Sequence, residues 1–163
     1  MDNRLMERSL LRSSVVALVG FSMLLTSAAS VHGQEDPQPS RDPAVYKAQL
    51  RQFSVLGRRT LREIQALPVD DSIPVDPRVH QNARQAYILV RAARWGMELQ
   101  MQRETSFQDP LLKLAHKRVD EAWHLARFPV DNTGLQRSEY ISRSVQEVSR
   151  ALQLVDQALV MLP

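Results

Sequence analysis

Across residues 77–105, apolar side chains return at alternating steps of four and three: Val79, Ala83, Ala86, Val90, Ala93 and Met97. At about 100° per residue these positions form one stripe, so the spacing predicts a helix with a buried heptad seam. A second set, Ile88, Ala92, Trp95 and Leu99, repeats the rhythm on nearly the opposite side. A helix that is apolar on two sides is either central in its fold or shares one side with something outside it. The strip Ile88, Ala92, Trp95 and Leu99 is therefore a candidate protein-contact surface.

The same rhythm recurs before and after this segment. Tyr46, Leu50, Phe53, Gly57, Thr60, Ile64 and Leu67 form a seam that starts behind Asp42-Pro43, a capping residue followed by a proline suited to the first turn. Gly57 interrupts that seam, and a bulky neighbour such as Trp95 or Trp123 is expected to fill the gap. Asp76-Pro77 and Asp109-Pro110 repeat the start signal. Beyond the last of these, Leu111, Leu112, Leu114, Ala115, Val119, Ala122, Leu125 and Ala126 make an inner side, with Pro129 as the stop. The final seam reads Ile141, Val145, Val148, Leu152, Val155, Leu159 and Leu162, with Thr133 and Gln136 spaced as a capping box.

Four helices, expected at about residues 43–67, 77–105, 110–128 and 133–162, predict an all-α fold. Short turns and sustained seams make it an antiparallel, left-handed four-helix bundle with heptad-like packing over residues 43–163. The connector 68–77, PVDDSIPVDP, is too rich in proline for a helix, and it is long enough to leave open whether the first two helices are neighbours or diagonal. The third helix is the shortest, so either the turn at 128–132 makes up the difference or Val155, Leu159 and Leu162 are left exposed.

Residues 1–33 carry a different pattern. Arg4, Arg8 and Arg12 lead into an apolar run at 15–25 and then small residues, the layout of a secretory signal peptide. Cleavage is expected before Gln34, with Ala28 or Ser30 as alternatives, and an uncleaved anchor is the rival reading. Residues 34–42, QEDPQPSRD, read as a disordered polar tether. These features imply a secreted or periplasmic protein.

Composition narrows the function classes. Removing the leader leaves 18 Lys and Arg against 16 Asp and Glu, a net charge of +2 that is too small to argue for nucleic acid. Cysteine is absent, which excludes disulfides and a lipid-bearing cysteine. No Ser or Cys with His, no paired carboxylates within a seam and no glycine-rich phosphate loop is found, so no catalytic residue is nominated and the chain reads as a non-enzyme. Asp70, Asp71 and Asp76 lack the glycine and spacing of a calcium loop.

His116, Asp120 and His124 sit four apart, a spacing that can serve a metal, but no fourth ligand can be named and the set reads as a solvated face. Met97, Met101 and His116 could face haem; seam methionines read as core filling, and no cofactor is assigned. Arg118 projects onto the apolar side of its helix, with Glu98 or Glu147 as expected partners. Lys47, Arg51, Arg58 and Arg62 give the first helix a basic face.

The sequence therefore points to an exported, non-catalytic bundle acting through protein contact, by self-association or as an envelope adaptor. Two alternatives remain: a small-ligand or haem carrier, and a periplasmic chaperone-like or anionic-surface binder that uses the basic face. Membrane contact is expected only through an uncleaved signal or that face.

Overall fold

The computed structural model describes residues 36–103 and 109–163. The expected signal peptide, the first residues of the tether and the turn expected after Thr105 lie outside the described residues. Among the described residues the chain is helical, with α1 at Pro43–Gln65, α2 at Pro77–Arg103, α3 at Pro110–Ala126, the single turn α4 at Phe128–Asp131 and α5 at Arg137–Met161. None of these helices is long and apolar enough to cross a membrane.

Each expected Asp-Pro start is built as a cap. The carboxylates of Asp42, Asp76 and Asp109 accept the N–H groups of Ala44, Arg78 and Leu111 at 2.9, 2.8 and 2.9 Å. Each satisfies an amide that a helix leaves without an internal partner, while the proline at N1 has none to satisfy.

The seams of α1 and α2 are buried as the periodicity requires, from Tyr46 through Ile64 and from Val79 through Met97. The four long helices form a ring in which α1 packs on α2 and α5, and α3 packs on the same two. The first two helices are thus neighbours. Contacts between neighbours are read in opposite order: Tyr46 meets Gln100 while Glu63 meets Asn82, and Tyr87 meets Trp123 while Arg94 meets Asp120.

Three local features depart from the expectations. Pro129 ends α3 at Ala126, but Arg127 carbonyl bonds restart one turn, α4, through Asp131. That turn packs on α2, α3 and α5 and lengthens the short third side of the ring. Val155 and Leu162 are consequently buried and Leu159 packs against the core, leaving Val160 turned out to solvent.

Next, α5 begins at Arg137, so Thr133 and Gln136 form no capping box; Gln136 makes no side-chain cap bond. Asp71 of the α1–α2 connector does that work, accepting the N–H of Arg137 at 2.7 Å. Finally, the expected seam of α5 is buried at Val148, Leu152, Val155 and Leu162, with Leu159 packed on the core, but its first turns differ. Tyr140 and Ser144 face inward with Ile141 and Val145 at the edge, and Ala151 and Ala158 join the inner face. Ala151 and Ala158 of α5 lie in the same core as Ala115, Ala122 and Ala126 of α3, and the two helices pack on each other. Small side chains let the two backbones approach, whereas branched residues would hold them apart. On α3 itself, Leu111 and Leu114 are exposed, not inward as expected.

Gly57 and Gly96 mark two close approaches. A Cβ at Gly57 would come within 2.9 Å of Leu152 Cδ2, so the filler is Leu152 and neither tryptophan. At Gly96 a Cβ would collide with the carbonyl of Ser40. Gln49 Nε2 donates to the Gln38 carbonyl at 3.2 Å, so the polar stretch before α1 lies across α1 and α2.

Candidate functional site

The outer side of α2 separates into a polar-aromatic seam against α3 and an apolar strip beside it. Tyr87, Arg91 and Trp95 are spaced four apart, which stacks their side chains along one line of the helix. The Arg91 guanidinium lies 5.8 Å from the Tyr87 ring centre and 5.4 Å from that of Trp95. Tyr87 in turn stacks on Trp123 of α3, with centroids 6.4 Å apart and planes at 20°. Such cation–ring contacts give about 0.5–1 kcal/mol each at exposed sites and more where water is excluded.

Arg94 closes the seam. Its guanidinium covers the Trp123 ring at 4.9 Å, donates from Nη1 to Glu98 at 3.3 Å and pairs through Nε with Asp120. The Arg94 side chain is only 20 % exposed, so this pair is less screened than a surface ion pair.

His116 faces the same cluster, with Nε2 buried and without a hydrogen-bond partner. Burial holds its imidazole below the ordinary histidine range, the charge of Arg94 adds to that, and Asp120 and Glu98 oppose it. The expected His116, Asp120 and His124 set is therefore organised around a cation the chain already supplies: Asp120 faces Arg94, and His124 Nε2 stands 4.0 Å from the other Asp120 oxygen. Among the described residues no group of three His, Cys, Asp or Glu is placed to hold a metal ion.

Beside this seam lies the strip predicted from the period. Trp95 and Leu99 are each 44 % exposed, Ile88 is half-buried and Ala92 is buried. The helix thus presents two large apolar side chains to solvent while Val90, Ala93 and Met97 fill the core behind them. Met101 packs against that core as well.

The basic face of α1 turns toward α5. Arg58 pairs with Asp156 at 2.8 Å, Lys47 donates to the Pro163 carbonyl, and Arg51 and Arg62 are exposed. Both members of the Arg58–Asp156 pair are about half exposed, so it contributes little to stability. Arg118 meets neither Glu98 nor Glu147; it reaches Glu121 one turn along its own helix at 3.6 Å, with its Nε buried and unpartnered. An open groove of about 510 Å³ lies between Ser40, Asp42, Gln100 and Arg103.

Sequence reasoning missed Arg91 and Arg94 as organisers of the α2 face. The i, i+4, i+8 run Tyr87, Arg91, Trp95 was a readable signal for the first; the pairing of Arg94 with Asp120 needed the α2–α3 register. No protein-family model, curated protein or solved structure matches the chain.

Proposed function

We propose that this chain is an exported, non-catalytic protein: an antiparallel, left-handed four-helix bundle, behind a signal peptide, that works through protein contact in the cell envelope. The docking surface is the α2 strip of Ile88, Ala92, Trp95 and Leu99. The supporting observation is that Trp95 stands 44 % exposed with Arg91 laid on its ring. Tryptophan and arginine are the residues that most often anchor interfaces, because both bury area at small entropic cost for each contact.

Magnitude sets the kind of contact. A tryptophan at that exposure offers about 100 Å², whereas a stable interface buries about 800 Å² on each partner. The strip is thus an anchor within a weak or transient contact, whose polar rim the flanking residues of α2 and α3 supply.

The test is a concentration series by light scattering together with co-purification from the native envelope, for the parent chain and for Trp95→Ala. The reading predicts either a mass that rises with concentration or a discrete partner. It also predicts loss of that association in the variant while the fold is kept, at a cost to stability of about 1 kcal/mol from the lost Arg91–Trp95 contact. A monomer at all concentrations whose co-purifying proteins are the same with and without Trp95 overturns it.

A further inference from the structure

At the other end of the ring, Arg137 opens α5 and is 4 % exposed. Both terminal nitrogens of its guanidinium are buried, and neither has a hydrogen-bond partner. Side chains at helical positions lean toward the N-terminus, so this cation sits near the positive end of a 25-residue helix. A buried guanidinium in such a place calls strongly for an anion.

Two carboxylates of the α1–α2 connector and Glu139 in the first turn of α5 stand near, and none takes the guanidinium; Glu139 pairs with Arg143 at 3.4 Å. Asp71 uses Oδ1 to accept the backbone N–H of Arg137. Asp70 accepts from the amide and the hydroxyl of Ser72 at 2.9 and 2.7 Å. Those two bonds, and to a lesser degree the charge of Arg137, hold its carboxyl below the ordinary range. The connector that carries both acids is poorly anchored, since Val69 and Ile73 point into solvent. A segment with so little apolar burial opens at small cost.

We propose that the foot of α5 is a binding site for a small oxyanion, a carboxylate or phosphate-type group, gripped by the Arg137 guanidinium and the first N–H groups of α5. The planar fork of arginine takes two oxygens of such a group at once, and the helix end adds backbone donors and a favourable dipole. Asp71 is the resident competitor: its carboxylate occupies the helix end until an incoming oxyanion displaces it and lifts the connector. The site is independent of the Trp95 strip and stands or falls separately from it.

The test uses the full chain in sodium chloride, titrated with sodium phosphate, sodium sulfate or sodium acetate at constant ionic strength, and followed by thermal unfolding and by heat of binding. At least one oxyanion should raise the unfolding midpoint saturably where chloride does not; preference for phosphate and sulfate marks a tetrahedral group, preference for acetate a carboxylate. Arg137→Met should abolish the shift. Asp71→Asn keeps an acceptor for the Arg137 N–H while removing the competing charge, and should tighten binding about tenfold. Identical midpoints in all four salts overturn the proposal, as does a shift that survives in Arg137→Met. Should that variant not fold, unchanged affinity in Asp71→Asn overturns it instead.

Discussion

Arg94 and Arg137 are both largely withdrawn from water, one in the α2–α3 seam and one at the foot of α5, and their surroundings differ in kind. Arg94 has Asp120 and Glu98 on its nitrogens and the Trp123 ring against its face. Arg137 is the more deeply buried, and its terminal nitrogens meet no acceptor. Depth alone does not say what a buried charge is for. A cation matched by its own fold holds two helices in register, whereas an unmatched one is held at a cost that the fold by itself does not repay.

Substitution to methionine, which keeps much of the side-chain volume, should separate the two with opposite signs. Arg94→Met leaves Asp120 with only His124 at 4.0 Å and takes the guanidinium off the Trp123 ring. Because Asp120 can still reach water, the expected loss is about 1.5 kcal/mol, read from the midpoint of urea unfolding. Arg137→Met removes a buried charge whose terminal nitrogens meet no acceptor and which Asp70 offsets only in small part, so in chloride buffer it should gain about 1 kcal/mol in the same assay. Equal losses in both variants would erase the distinction between the two sites.

A smaller effect comes from pH. His116 beside Arg94 has its folded-state pKa below the ordinary value of 6.5, so the unfolded chain takes up a proton first as pH falls. Its part in stability is therefore full above that value and is lost as pH drops from there through the folded pKa. Urea midpoints at pH 7 and pH 5 should show this decline in the parent chain, and His116→Gln should flatten it. A decline of the same size in the variant would place the titrating group elsewhere.

The comparison also shows which parts of the molecule were legible in sequence. The starts at Asp42, Asp76 and Asp109 were readable because a cap and its proline are adjacent in the chain, so local chemistry decides them. The seams of α1 and α2 were readable because bulky side chains lie at their centre. In α5 the buried Val148, Leu152, Val155 and Leu162 were readable in the same way, but Ser144, Ala151 and Ala158 share the inner face, and small side chains there carry a weaker periodic signal than the bulky Ile141 and Val145 at its edge. The cap of α5 lies on Asp71, far along the chain, and no local pattern announces it. At the candidate site, the period alone picked out the strip of Ile88, Ala92, Trp95 and Leu99. Which of its members are exposed was set by tertiary packing, which buries Ala92 and leaves Trp95 and Leu99 open.

That strip remains the centre of the functional account, and cross-linking from it tests the account most directly. A photoreactive residue would replace Leu99, and in a control Val55 of α1, which is also exposed, in cells making the full chain. The account predicts an adduct of discrete mass from position 99 that disappears when Trp95→Ala is added, and none from position 55. No adduct at 99, or the same adducts from both positions, would contradict it.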